Sequence, residues 1–267
     1  MIIGEWLEST QKQLKLAGVK SFYIDSLILA EHVTKKEREY LLAHPEHELS
    51  NTHAKKLQVL VKRRLRQEPI AYITGKCFFY GHQFKVNNHV LIPKPESEDF
   101  LNILKNTPIS AKANLLDVGT GSGCLSISAK LLCPLLNVFA SDNNTQALKI
   151  AKYNAKMLNA KVDFIQADMI LPSCPKMDII LANLPYVPHN FKVSEESKFE
   201  PATAIFAGDQ GLQLITKLSR QAPQILKPNG LILIESLAFQ QPSIKSIMAT
   251  QGFKLLRTQN LISVFSV

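Results

Sequence analysis

Five short apolar runs between residues 113 and 235 constrain the fold more than any other feature of the chain. They are NLLDV (114–118), NVFAS (137–141), VDFI (162–165), MDIILA (177–182) and LILIE (231–235), and helical or loop-like segments separate them. Strands that alternate with helices form a doubly wound parallel sheet covered on both faces, because a strand buried on both sides reads as an unbroken apolar run. The last residues, FKLLRTQNLISVFSV (253–267), depart from this pattern. Two strands with so short a connection predict an antiparallel pair closing the sheet. The expected class is α/β.

The first 66 residues carry helical signals and almost no strand signals. Trp6, Leu7, Leu14 and Leu16 fit one amphipathic face, and Ser21 is placed to cap a helix carrying Phe22, Ile24, Leu27, Ile28 and Ala30. Thr34 and Ser50 are further candidate caps, the second leading into AKKLQVLVKRRLR. A helical domain of about four helices is expected over 1–70. A linker follows at 71–95, with a hairpin turning at Gly81-His82 between CFFY and QFKV. Pro93 and Pro95 then release the chain into the α/β domain at 96–267. Within that domain, 184–209 lacks clear periodicity, and loops of this length are often functional.

Composition removes several classes. No apolar run approaches the roughly 20 residues that span a bilayer, and MIIGEWLESTQKQ lacks the flanks of a signal peptide. The cytoplasm is the expected compartment, without membrane association. Cys77, Cys124, Cys133 and Cys174 form no C-x-x-C pair and share no metal-like spacing with the histidines, so they read as ordinary buried or semi-buried thiols and no metal is expected. The net charge of +9 favours acidic partners or reflects a generally basic proteome. KRRLR at 62–66 reads as a solvated helix face, and no stable nucleic-acid binding is expected.

Three constellations carry chemistry. DVGTGSG (117–123) follows the first α/β strand and opens a helix; Gly119, Thr120, Gly121, Ser122 and Gly123 let a ligand lie against the backbone at the carboxyl edge of the sheet. Asp117 either accepts hydrogen bonds from that ligand or holds the loop. Asp142, at the tip of the second strand, is placed to accept from both ribose hydroxyls of an adenosine, a geometry that serves NAD and S-adenosylmethionine alike. Asp168 is positioned to approach an adenine edge. The third constellation, Asn183-Leu184-Pro185-Tyr186, leaves the MDIILA strand at the same edge. The Asn183 side-chain oxygen and the Leu184 carbonyl can accept the two hydrogens of an amide and orient its weakly nucleophilic nitrogen towards an electrophilic methyl. Pro185 restricts Leu184 to extended conformations, and Tyr186 can stack on a planar group. Glu235, near the end of LILIE, is a candidate for burial with a partner and receives no functional role.

These residues resemble the HemK/PrmC-type release-factor glutamine methyltransferases, and the match runs through most of the chain. Glu68-Pro69-Ile70-Ala71-Tyr72-Ile73-Thr74-Gly75 is similar to the family's linker signature; FFYGHQF, VLIPKPESE, DVGTGSG, NLPYV and EPATAIFAGDQGL follow in family order. The resemblance implies a Rossmann-like seven-stranded methyltransferase sheet with an antiparallel last strand, preceded by a helical domain that recognises the substrate. It further implies S-adenosyl-L-methionine as cofactor and N5 methylation of the glutamine in a Gly-Gly-Gln loop of a peptide-chain release factor, by a monomer. On that basis the residues from Gly119 to Gly123, with Asp142, Asp168, Met169 and Asn183, contact the cofactor, while Asn183, Leu184, Pro185 and Tyr186 hold the glutamine. Three positions depart from the family: Leu184 replaces a proline, Pro93-Lys94-Pro95-Glu96-Ser97 replaces Pro-Arg-Pro-Glu-Thr, and Met169 stands where an aromatic is common. The principal alternative is an rRNA adenine methyltransferase, because Asn-Leu-Pro-Tyr also suits those enzymes. A non-catalytic binding module and an NAD-linked dehydrogenase rank below it, the latter because the loop spacing and the antiparallel ending fit it poorly.

Overall fold

The computed structural model describes residues 1–110, 112–170 and 173–267. The chain divides into two compact units: Met1–Gly75 together with Val193–Phe199, and Lys76–Lys192 together with Glu200–Val267. The hairpin expected in a separate linker therefore belongs to the second unit, and a short piece of the 184–209 loop belongs to the first.

Five helices build the first unit: α1 (Ile3–Leu16), α2 (Phe22–Thr34), α3 (Arg38–Ala43), α4 (Asn51–Leu65) and α5 (Ile70–Thr74). Trp6, Leu7, Leu27, Leu41, Leu57 and Ile73 belong to one buried cluster. Leu16, read as part of the α1 face, is 80% exposed. The predicted caps behave differently from one another. Ser50 accepts from His53 N and caps α4, whereas the Ser21 hydroxyl donates to Asp25 and Thr34 ends α2 by donating back to the Ala30 carbonyl. Hydroxyls of this kind serve side-chain or backbone groups on either side, and spacing alone does not say which.

The second unit starts with a hairpin of β1 (Lys76–Phe79) and β2 (His82–Lys85). Its turn residues are Tyr80 and Gly81, both with positive φ (47° and 78°), one position earlier than expected. Left-handed conformations at both central residues match the twist of the flanking strands. After α6 (Asp99–Lys105) come β3 (Asn114–Val118), α7 (Cys124–Leu132), β4 (Asn137–Asp142), α8 (Thr145–Met157), β5 (Asp163–Gln166) and β6 (Met177–Ala182). The chain ends with α9 (Ala202–Ile205), α10 (Gln213–Gln221), β7 (Leu226–Glu235), α11 (Gln241–Ala249), β8 (Lys254–Gln259) and β9 (Ile262–Ser266).

β3 to β9 form one seven-stranded sheet in the order β5-β4-β3-β6-β7-β9-β8. The first five strands pair in parallel, and β9 lies antiparallel to both β7 and β8. This is the α/β class and the antiparallel ending expected from the sequence, with β9 inserted one place in from the edge. Two apolar clusters cover the faces of the sheet: Leu115, Leu181 and Leu233 belong to one, and Leu116, Ile180 and Ile232 to the other. The alternation explains the unbroken apolar runs, since successive side chains enter opposite cores. Among the described residues, no helix is long and apolar enough to cross a membrane.

Candidate active site at the switch in strand order

β3 and β6 are neighbours, but the chain continues from β3 to β4 on one side and from β6 to β7 on the other. Diverging connections of this kind open a crevice at the carboxyl ends of the two strands. The register pairs Val118 with Ala182, so DVGTGSG and NLPY leave the sheet side by side. A Cβ added to Gly119 would lie 3.0 Å from Leu184 Cδ2, which shows how closely the two loops pack.

The glycine loop is held from beneath. Asp117, 1% exposed, accepts from Thr120 Oγ1 at 2.6 Å and from Ser126 N at 3.1 Å through Oδ2. Those bonds give Asp117 the loop-holding role. The Gly119 and Thr120 amides donate to the Ser141 carbonyl of β4 at 2.8 and 2.9 Å. Gly121 N donates to Asp142 Oδ2, and Asn144 N donates to Oδ1. Burial raises the Asp142 pKa, and the backbone N–H donors at Asn144, Gly121 and Asn143 pull it back down. A carboxylate has about four acceptor sites, so Asp142 keeps acceptor capacity beyond these backbone bonds.

All the predicted site residues except Gly123 and Tyr186 line one cavity: Gly119, Thr120, Gly121, Ser122, Asp142, Asp168, Met169, Asn183, Leu184 and Pro185. Gly123 caps α7 at φ 82° instead, and a Cβ there would come within 2.8 Å of Ile127 Cδ1 and 3.1 Å of Ala151 Cβ. It lets α7 and α8 approach, the packing duty of the third glycine in related loops. Asp168 is exposed and ion-paired with Lys217. Met169 is buried with φ 76°, a strained conformation for a side chain without a polar tip, and Ser141 Oγ bonds its carbonyl at 2.6 Å.

Around Asn183 the side chains form a chain of hydrogen bonds. Asn183 Nδ2 donates to Ser97 Oγ at 2.8 Å, Ser97 Oγ donates to Glu235 Oε2 at 2.7 Å, and Tyr186 OH donates to Glu235 Oε1 at 2.9 Å. Burial first and the Glu235 charge second hold the Tyr186 hydroxyl above its usual range. Its backbone is anchored as well. The Tyr186 carbonyl accepts from Gln240 Nε2 at 2.7 Å and lies so close to Gly211 that a Cβ there would overlap it.

Sequence reasoning missed the opposite wall of the cavity. His89, Leu91 and Lys94 come from the segment after the hairpin, and Pro201, Thr203 and Ala204 from the start of α9. Glu200, 2% exposed in its side chain, clasps the two segments by accepting from Ile92 N at 3.2 Å and Lys94 Nζ at 2.8 Å. Their only signal was that VLIPKPESE and EPATAIFAGDQGL belong to the resembled family. Every described lining residue lies in the second unit. Among the described residues, no group of three or more His, Cys, Asp or Glu is arranged to hold a metal ion. The KRRLR stretch at 62–66, expected to be a solvated helix face, buries Arg64, which is 1% exposed.

Two family models match the chain: the PrmC N-terminal domain over residues 5–75 and the methyltransferase small domain over residues 95–257. A release factor glutamine methyltransferase of Coxiella burnetii is 37% identical over 256 residues, covering 94% of this chain and 92% of its own. A bifunctional methyltransferase of Rickettsia typhi is 34% identical over 280 residues, covering 95% of this chain and 54% of its own. The chain thus spans about half the length of that relative, as it does of the corresponding proteins of Rickettsia prowazekii and Rickettsia conorii. Among solved structures, a methyltransferase from Pyrococcus furiosus shares the fold with a TM-score of 0.54 at 16% identity, over 80% of this chain and 98% of that one.

Proposed function

The chain belongs to the release factor glutamine methyltransferase family, and on that premise we propose that it moves a methyl group from S-adenosylmethionine to the side-chain nitrogen of the glutamine in a release factor's Gly-Gly-Gln loop. The observation that carries this reading is the Asn183 amide, whose nitrogen is turned back to Ser97 while the residue lines the cavity. The other arm of the amide, Oδ1, is then the acceptor left for a substrate.

The residues around the cavity fit the cofactor. A Cβ added to Gly121 would meet nothing within 4 Å, so the loop leaves open space that a side chain would fill. Asp142 would hold the ribose hydroxyls, Gly119 to Ser122 would lie along the amino-acid portion, and Met169 and Asp168 would border the adenine. When bound, S-adenosylmethionine supplies a methyl group already activated on a sulfonium.

Asn183 Oδ1 and the Leu184 carbonyl orient the substrate. An amide nitrogen is a poor nucleophile, and two acceptors on its hydrogens fix the direction of its lone pair. Pro185 limits Leu184 to extended backbone and so fixes its carbonyl. The nitrogen would gain one carbon bond as the bond between that methyl and sulfur breaks, the electron pair staying on sulfur, and would give up one proton to water. Recognition of the release factor falls to the helical unit in this reading.

The test is incubation of the protein with S-adenosylmethionine and either purified release factor or ribosomal RNA, followed by mass spectrometry. A gain of about 14 Da on the Gly-Gly-Gln peptide is expected, the mass of one methyl for one hydrogen. Asn183→Ala should abolish the gain while calorimetry shows cofactor binding retained. Methylated adenine beside untouched release factor would overturn the reading in favour of an RNA enzyme.

A further inference from the structure

We propose that Ser97 and Glu235 are positioning residues that set which way the Asn183 amide faces, and so determine whether the cavity offers the substrate an acceptor or a donor. The inference rests on the methyl-transfer reading above for its consequence, but on hydrogen-bond geometry for its substance.

Three distant parts of the chain build the arrangement. Ala182 pairs with Ile234 across β6 and β7, which places Asn183 and Glu235 at adjacent strand ends. Ser97, 2% exposed, reaches them from the segment before α6. Glu235 is also 2% exposed, and each of its oxygens accepts from one hydroxyl, Ser97 on Oε2 and Tyr186 on Oε1.

A serine hydroxyl has one proton and two lone pairs. Because the Ser97 proton goes to the carboxylate, only lone pairs remain for Asn183, and the asparagine must present its NH2 group. Rotating that amide by half a turn would set Oδ1 against the Ser97 lone pairs and aim two N–H donors into the cavity. They would then confront the N–H groups of a substrate amide, where acceptors are required. The carboxylate therefore acts on Asn183 through the serine as well as by accepting from the Asn183 NH2 group directly, and the same carboxylate holds the Tyr186 ring by its hydroxyl. Such a network is strong when every member is satisfied and fails as a unit when one is removed.

The arrangement depends on the protonation of Glu235. A protonated carboxyl can donate to Ser97, free that hydroxyl to turn towards Asn183, and remove the preference. Burial raises the Glu235 pKa and Glu96 adds to the rise, while Ser97, Tyr186 and Asn183 favour the charged form. Turnover should consequently have an acid limb that belongs to this carboxylate rather than to the substrate amide.

The experiment compares Ser97→Ala, Ser97→Thr and Glu235→Gln with the unaltered protein. Calorimetry reads S-adenosylmethionine affinity, steady-state kinetics read release-factor methylation, and side-chain NMR of labelled asparagine reads the Asn183 NH2 protons. Ser97→Ala and Glu235→Gln should hold cofactor affinity within about twofold and the KM for release factor within about threefold, yet lower kcat by about tenfold to a hundredfold. Ser97→Thr retains the hydroxyl and should restore kcat to within about threefold. In the unaltered protein the Asn183 NH2 protons should exchange slowly with water, and Ser97→Ala and Glu235→Gln should each reduce that protection. Unchanged kcat in both disabling variants, or unprotected NH2 protons in the unaltered protein, would overturn the proposal. Failure of the unaltered protein to methylate release factor would sink the functional reading instead, and the NMR result would still decide the amide's orientation.

Discussion

Asp117 lies beneath the glycine loop, and burial pushes its carboxyl from 3.8 up to about 6, against the pull of the bonds from Thr120 and Ser126. A carboxyl whose native pKa lies above its unfolded value binds its proton more tightly when folded. Its contribution to stability is therefore fully present below about pH 4 and lost as pH rises through about 6; a shift of about two units corresponds to about 3 kcal/mol. Asp117→Asn removes the titration while an amide oxygen can still accept from Thr120 and Ser126. Denaturant unfolding at pH 4 and pH 7 should show the variant gaining on the unaltered protein by up to about 3 kcal/mol over that range. Parallel curves would show that the carboxyl is not desolvated. Residues of this kind mark the limit of what the sequence conveys. Gly119, Gly121, Asp142 and Asn183 were legible because each stands at a strand end, where topology alone directs it to the crevice. Ser97 and Glu235 were not, because a hydroxyl and a carboxylate 138 positions apart leave no periodic trace. Asp117 was visible as a residue, but its role was undecided until its partners were known.

The hairpin shows how an element is fixed by something other than its own strands. Two four-residue strands joined by a tight turn are marginal in isolation. Here Asn154 of α8, 2% exposed, serves as a false strand partner for β2: Oδ1 accepts from Lys85 N at 2.8 Å and Nδ2 donates to the Lys85 carbonyl at 3.0 Å. The same NH2 group donates to the Ser122 carbonyl at 2.8 Å, so one side chain ties the hairpin to the glycine loop. Asn154→Ala leaves three backbone groups without their partner, at a cost of about 2–4 kcal/mol. Asn154→Asp keeps only the acceptor and should also destabilise. Urea unfolding measures the loss, and calorimetry should show weaker S-adenosylmethionine binding, because Ser122 lines the cavity. Unaltered stability in Asn154→Ala would mean that water replaces the side chain. The aromatic and β-branched pattern revealed the hairpin itself, yet placed its turn one residue late. Gly81 could occupy either central position, and nothing in Tyr80 advertises a left-handed backbone.

At the scale of the whole molecule, the segment Val193–Phe199 belongs to the helical unit although the chain on either side of it belongs to the sheet unit. Arg64 holds it. The guanidinium is 1% exposed and donates to Asp25 Oδ2 at 2.6 Å, Ser21 Oγ at 3.3 Å, the Glu68 carbonyl at 3.2 Å and Glu196 Oε1 at 2.5 Å. The Asp25 arm is buried on both sides, whereas Glu196 is 44% exposed and its arm is correspondingly screened. Arg64→Met replaces the side chain by one of similar length without charge and strands the Asp25 carboxylate. Removing one partner from a buried pair costs about 3–5 kcal/mol, more than the pair itself contributes relative to an apolar substitute. Hydrogen exchange should accordingly quicken in α2, in α4 and in 193–199, while β3, β4 and β6 keep their protection. S-adenosylmethionine affinity should stay unchanged, because every described residue lining the cavity lies in the other unit. Methyl transfer to intact release factor should fall, since the residues that follow Tyr186 run directly into the loosened segment. If exchange at 193–199 does not change while α2 and α4 open, Arg64 stabilises the helices alone and the segment is held by other contacts.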